Sequence, residues 1–590
     1  MLSIGKLTLG AEDYYLMSVA AGMEEYYTGS GEAPGQWLGK GAESLGLTGI
    51  VDAADLKALL SGTSPRDGAP IRSVHAARAT VAGFDLTFSS PKSVSLLYGL
   101  TTEAIAAQVR AAHDEAVRAA LDYIETHALT ARRGHNGEAF IATQGAIGAA
   151  FAHRTSRAGD PQLHTHVLIA NAVKGADGNY SAPDGRLFYM HARAGGYLYQ
   201  AVLRYELACR LGLSFSDVVG GAAEVTGVDH ALVRAFSTRR AEIEARLAST
   251  GGIGAGDARR AALYTRRPKN LSGLAPGAAE STGTLRERWQ AQAEELGHDH
   301  SALARLVGPP RYLDLSGGLI HDIAGELVGP NGLTKRLSTF ERRDVVREVA
   351  AHLPDGADAH VVDHIATMVV ESPATVALGI RGPGGEERLT TAELLGVERA
   401  LIDLAVQTKS AGTATVTPAT LQAVLASRPA LSGEQVAMVT KLTTSGAGVE
   451  VVIGAAGTGK TFALCAAREA WEKEGHRVVG AALAARAARG LEGSAGIAST
   501  TLAALDAELS CRRDSFGPGT VLVVDECSMV GTRMLSRVVT SAVSSGAKVV
   551  VIGDARQLPN PHRFESTCGS WHLRYHEFAC KRMSSTVSPR

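Results

Sequence analysis

The chain has 590 residues, enough for several domains, and its 45% hydrophobic and 20% charged residues make a globular balance. Its formal net charge of −1 excludes a generally basic chain, so any nucleic-acid surface has to be a local patch. The six cysteines lack CxxC spacing, which speaks against a zinc finger or disulfide framework and fits a reducing cytosol; without a signal-peptide core or a bilayer-spanning apolar run, a soluble cytoplasmic protein with no membrane insertion is expected.

Residues 11–50 carry two tyrosine pairs, Tyr14-Tyr15 and Tyr26-Tyr27, around the helix-like stretch LMSVAAGMEE. Tyrosine ordinarily packs as an amphipathic core residue. A phenol with a pKa of about 10 is a poor nucleophile unless a metal or a base assists it. Further on, Phe84, Leu86 and Phe88 alternate with Asp85, Thr87 and Ser89, which predicts a half-buried strand with Asp85 on its polar face. Pro91 ends that strand and a helix is expected from Ser93. Asp85 could orient a metal-bound histidine or accept a tyrosine's proton, or be a solvated strand charge. Lys92 could meet a phosphate or only solvent. Residues 101–133 show helical spacing.

The stretch 151–173 holds His153, His164 and His166. Leu163, Thr165, Val167 and Ile169 fall on one face of a predicted strand, His164 and His166 on the other. The linker 154–162 contains the turn residues Gly159 and Asp160-Pro161, so a long hairpin would bring His153 beside the other two. Three neutral imidazoles at one point make a metal site with open positions, suited by ligand type to Mn2+ or Zn2+. An isolated HxH is more often a polar sheet face; the third histidine favours the metal. Helices are expected over 193–212, 230–248 and 257–270. The basic residues Arg154, Arg157, Arg239, Arg240, Arg266 and Arg267 are candidates for DNA phosphate contacts, although such residues usually make solvated faces. A Gly/Pro/Ser-rich loop at 271–283 and Pro309-Pro310 suggest a boundary near 295–315.

The tyrosine pairs, WLGKGAESLGL (37–47), DLTFSSPKSVS (85–95) and HRTSRAGDPQLHTH (153–166) together resemble the MobF conjugative relaxases of the TrwC/TraI type, over roughly the first 300 residues. The resemblance implies an HUH-type α+β fold, an antiparallel sheet flanked by helices. It implies nicking of one strand at a plasmid origin of transfer, with the 5′ end kept as a phosphotyrosine and later transferred. His153, His164 and His166 would then hold Mg2+ or Mn2+, Asp85 would support a histidine or take the proton, Tyr14 would be the first nucleophile and Tyr26 the second. Single-stranded and origin DNA, with coupling and secretion proteins, are the implied partners.

Residues 339–353 are amphipathic, and Thr390 with Glu393 three residues on reads as a helix cap. From 431 the texture changes. GAAGTGKT (454–461) follows an apolar strand and opens a helix, the context a P-loop requires. Backbone at Gly454, Gly457 and Gly459 would cradle phosphates, Lys460 would reach the β- and γ-phosphates, and Thr461 would hold Mg2+. VLVVDECSMV supplies Asp525 for the Mg2+ and Glu526 to activate water, and KVVVIGDARQLP places Gln557 to sense the γ-phosphate. These segments resemble a RecD-like superfamily 1 helicase, an α/β P-loop RecA-like parallel sheet with ATP and Mg2+, in which Gln435 would contact adenine. After GDARQLP that resemblance stops. A truncation or frameshift near 558–561 is the expectation, with weak nucleotide binding and no processive unwinding. The expected organisation is a relaxase domain at 1–300, a mixed linking region at 301–430, a RecA-like lobe at 431–560 and an atypical tail at 561–590. The alternatives are a DNA-binding remnant without turnover and an ATP-dependent DNA helicase subunit.

Overall fold

The computed structural model describes residues 1–8, 34–71, 81–134, 139–156, 158–250, 257, 284–313, 315–454, 459–511 and 516–553. Its contacts divide the chain into two units, Met1–Ala324 with Arg342–Val369, and Gly325–Glu341 with Val370–Arg590.

Among the described residues the main sheet of the first unit has five strands: β1 (Leu2–Leu7), β2 (Gln36–Leu38), β3 (Gly83–Ser89), β4 (Gly148–Thr155) and β5 (Pro161–Ala170). They pair antiparallel throughout, in the order β1-β3-β5-β4-β2. This is the α+β architecture expected from the sequence. Helices α1 (Lys92–Leu100), α2 (Glu103–His127) and α3 (Gly185–Leu211) join it. The period-two pattern of β3 sorts its side chains as expected: Phe84 packs edge-on against Phe188 of α3 at 4.9 Å between ring centroids, and Phe88 lies 5.5 Å from Tyr199. On another core, Ala149, Phe151 and Leu168 pack with Trp37, Leu56, Leu59 and Leu60. The far end of the face that Ala149, Phe151 and Leu168 share carries the histidines.

The helix expected over 101–133 stops at His127. The helix is capped at Ala128, whose N–H donates to the Ile124 carbonyl, and Leu129 and Ala131 beyond it are buried. Thr130–Arg133 pairs as a strand with Ala139–Ala142. Helix α4 (Arg342–Ala351) belongs to the same unit: the buried Arg204 guanidinium of α3 donates to the Ala350 and Leu353 carbonyls at its C-terminal end, both at 3.0 Å.

The second unit holds a parallel sheet of β6 (Val449–Ile453), β7 (Arg477–Ala482), β8 (Ser499–Thr501), β9 (Thr520–Asp525) and β10 (Lys548–Gly553), in the order β6-β10-β9-β7-β8. β9 and β10 are buried almost end to end, as parallel strands are when covered on both faces. Helix α5 (Lys460–Lys473) follows β6 and buries Trp471, whose indole N–H donates to the Ala414 carbonyl at 3.0 Å. The cap expected at Thr390 is made by Thr391, which accepts from the Leu394 N–H. Thr390 ends inside strand Glu387–Thr391, and its hydroxyl is taken by the Ser338 carbonyl at 2.7 Å. Among the described residues no helix is long and apolar enough to cross a membrane.

Candidate functional site

Strand register assembles the first site. His153 stands opposite His164 across β4 and β5, and Thr87 and Ser89 of β3 stand opposite His166 and His164. Directly opposed residues share a face, so His153, His164, His166, Thr87 and Asp85 project together. The three imidazole centroids are 5.1–5.3 Å apart.

Hydrogen bonds orient two of the rings. Both Asp85 carboxylate oxygens lie 2.9 Å from His166 Nδ1. An ionised carboxylate only accepts, so Nδ1 carries the proton of this bond and Nε2 is the nitrogen left for a metal. Thr87 Oγ1 supports the same carboxylate at 3.2 Å. His164 Nδ1 faces the Gln162 carbonyl at 2.9 Å, which likewise leaves its Nε2 as the acceptor. Burial, and after it the neighbouring His166, pushes the His164 imidazole down to about 4, so it is neutral at physiological pH.

Imidazoles with Nε2 available are the donor set of a metal site. Three imidazoles sharing one cation at about 2.1 Å have centroids roughly 5 Å apart, close to the spacing here. Among the described residues no group of three or more His, Cys, Asp or Glu side chains has its donor atoms placed to hold a metal ion. Spacing therefore fits a shared ion, and ring orientation is what binding would have to complete.

The start of β5 is fixed by the serine-rich segment after β3. Ser90 Oγ donates to the Leu163 carbonyl, Ser95 Oγ accepts from the Leu163 N–H, and Gln162 Nε2 donates to the Ser90 carbonyl. Lys92 Nζ donates to the Pro161 carbonyl at 2.8 Å, and burial holds its ammonium below the usual lysine range. That contact gives Lys92 a role in tying the hairpin together. At the turn, Asp160 accepts from the Thr238 N–H and hydroxyl, and the Trp289 indole donates to the Gly159 carbonyl. Sequence reasoning missed these ties; SSPKSVS was their one visible signal, and hydroxyl spacing alone does not name a partner 68–73 residues away. Arg154 is partly buried on β4. Arg239 is partly exposed and Arg240 pairs with Glu244 at 2.7 Å on an exposed helix face. Tyr14, Tyr26, Arg157, Arg266 and Arg267 lie outside the described residues.

The second site lies at the carboxyl ends of parallel strands, where open α/β sheets bind ligands. β6 runs into Gly454, and α5 opens at Lys460. Lys460 Nζ donates back to the Gly454 carbonyl. Gly459 has φ +73°, which favours glycine, and a Cβ there would come within 2.4 Å of Gln435 Nε2 and displace that amide. Gln435 Nε2 reaches the Gly459 carbonyl at 3.4 Å while its Oε1 accepts from the Ser432 N–H. Thr461 is partly exposed in the first turn of α5. Asp525 ends β9, and Glu526 follows in the left-handed region at φ 53°, its N–H donating to Asp525 Oδ1 at 2.8 Å. A non-glycine residue held there stores backbone strain, a common mark of working sites. Gly457 and Gln557 lie outside the described residues, as does the tail expected at 561–590.

Residues 9–296 match the TrwC relaxase family, and residues 430–564 match an AAA domain. Over that first stretch the chain belongs to the TrwC relaxase family. Relatives of this chain include the probable conjugal transfer protein TraA of Sinorhizobium fredii, 36% identical over 238 residues, which are 38% of this chain and 21% of that protein. The multifunctional conjugation protein TraI of Escherichia coli is 32% identical over 366 residues, 60% of this chain and 20% of that protein. The matches thus span about a fifth of the length of these curated relatives. A solved structure of the conjugative relaxase TrwC in complex with oriT DNA, metal-bound, is 32% identical, covering 51% of this chain and 100% of its own, with a TM-score of 0.44.

Proposed function

We propose that the first unit is a metal-dependent relaxase that nicks one DNA strand at an origin of transfer and transfers it through a 5′-phosphotyrosine. The observation that carries this reading is the face on which His153, His164 and His166 stand together with Asp85 bonded to His166, inside the region that matches the family. When bound, Mg2+ or Mn2+ would draw charge from the scissile phosphate. The chain's own residues do the rest. Tyr14 is the proposed nucleophile: its phenolic oxygen forms the new P–O bond, the bond to the 3′ oxygen breaks, and the leaving oxygen takes a proton to become a 3′-hydroxyl. Ester is exchanged for ester, so the step reverses readily and suits religation. Asp85 already receives His166 and Thr87, which favours orientation of His166 over acceptance of the tyrosine's proton. Tyr26 is proposed for a second transesterification. In the second unit, Gly454, Gly457, Gly459, Lys460, Thr461, Asp525, Glu526 and Gln557 are proposed to bind ATP with Mg2+, with Gln435 at the adenine. Single-stranded and origin DNA are the proposed partners, and coupling and secretion proteins follow by family.

The test uses the full chain and a 3′-labelled oligonucleotide spanning the origin of its own element. With Mn2+ a labelled covalent adduct is expected on a denaturing gel, and with EDTA none. DNA binding without an adduct in Mn2+ or Mg2+ would overturn the nicking reading in favour of a binding protein without turnover.

Asp85→Asn gives a second expectation. The amide keeps the shape but loses the anion that fixes the His166 tautomer, so Mn2+ affinity should fall by about 10–100-fold with the fold retained. A Mn2+ titration followed by electron paramagnetic resonance reads this directly. An unchanged dissociation constant removes Asp85 from the metal reading.

A further inference from the structure

The opposite side of β5 carries a polar chain that the chemistry above does not use. Thr165 lies between His164 and His166 and points away from them, through the sheet. Its Oγ1 is 2.8 Å from His113 Nε2 of α2, and His113 Nδ1 is 2.8 Å from the Tyr199 hydroxyl of α3. Thr165 is 3% exposed, and His113 is 0% exposed, as is Tyr199. The ring of Tyr199 also rests on Phe88 of β3. One imidazole thus joins two helices to the strand that bears two of the three histidines. Burying such groups is costly unless each is paired, and apolar residues of similar volume would fill the space without that cost. What hydrogen bonds add here is direction. Burial keeps the His113 imidazole well below its ordinary range, so the ring is neutral, with one donor and one acceptor for its two partners. Such a relay fixes the roll of β5 at the one residue flanked by His164 and His166.

We propose that His113, held by Tyr199, is a positioning residue that sets the spacing of His164 and His166 through Thr165. This rests on the metal reading above, and the experiment separates the two. Thr165→Val keeps the shape and the strand preference but removes the hydroxyl; Thr165→Ser keeps the hydroxyl. Ile124→Ala, about three turns further along α2, weakens the same helix packing without touching the relay. Mn2+ binding to the full chain is measured for each, counting only the site that His164→Ala removes. We expect Thr165→Val and Tyr199→Phe to weaken that site about tenfold, Thr165→Ser to restore it, and Ile124→Ala to lower the Tm with the dissociation constant unchanged. Wild-type affinity in Thr165→Val overturns the proposal, as does equal weakening in Ile124→Ala, which would make the effect one of general stability. A wild-type chain with no Mn2+ site lost in His164→Ala overturns the metal reading itself, and this inference with it.

Discussion

Replacing His164 by alanine is expected to lower adduct formation on an origin oligonucleotide by about a thousandfold or more while the chain stays folded. The size follows from what the proposed site has to do. A cation held by three imidazoles stabilises charge that develops on the phosphate in the transition state, a contribution of several kcal/mol, and each 1.36 kcal/mol or so is a factor of ten in rate. Two remaining rings cannot hold the ion at the same point. Retention of the fold follows from local geometry. His164 makes its hydrogen bond to the carbonyl of Gln162, two residues away, and the strand beneath it is fixed by Ser90, Ser95 and Lys92 instead. His166→Ala is a poorer test, because it would also take the imidazole from the half-buried Asp85 carboxylate and leave that charge less well paired. The rate of adduct formation against Mn2+ concentration, with circular dichroism as the check on folding, decides it. Adduct formation within tenfold of wild type would remove His164 from the mechanism, whereas partial rescue at high Mn2+ would assign the loss to affinity.

The histidine hairpin was legible because two simple periodicities coincide there. Side chains two apart share a strand face, and Gly159 with Asp160-Pro161 marks the reversal that sets His153 beside His164. The bond from His166 to Asp85 was suggested but not readable: it joins residues 81 apart and exists because β5 sits between β3 and β4, an order that no local pattern gives. The same holds for the clamp on Leu163 and for Lys92, whose charge suggested DNA and whose neighbour is the Pro161 carbonyl. Errors at element ends were of a different kind. Thr390 and Thr391 are both sound caps by chemistry, and the sheet decides between them by occupying Thr390. The P-loop was legible as a string, but the approach of Gln435 to Gly459 depends on helix Gly433–Thr444 lying against α5, a tertiary fact.

Phenylalanine at position 14 is expected to abolish the first covalent adduct, the largest effect foreseen for any single substitution. The substitution removes one oxygen and little else, and without that oxygen no phosphotyrosine bond can form, whatever the metal does. Tyr26→Phe is expected to behave differently. The first adduct should form at the wild-type level, and a second exchange onto a fresh acceptor strand should fail, because the proposed second nucleophile is missing. The neighbours Tyr15 and Tyr27 make the experiment discriminating, since each carries the same phenol one residue away. Mass spectrometry of the DNA-linked peptide reads which tyrosine is modified. Linkage at Tyr14 in the wild type, with none in Tyr14→Phe, supports the assignment; linkage at Tyr15 would move the role by one position and leave the metal face untouched. A nick without any adduct in Tyr14→Phe would be the more damaging outcome, because water would then be attacking the phosphate. The reaction would be hydrolysis, the energy of the broken ester would be lost, and strand transfer through this chain would have no intermediate to draw on.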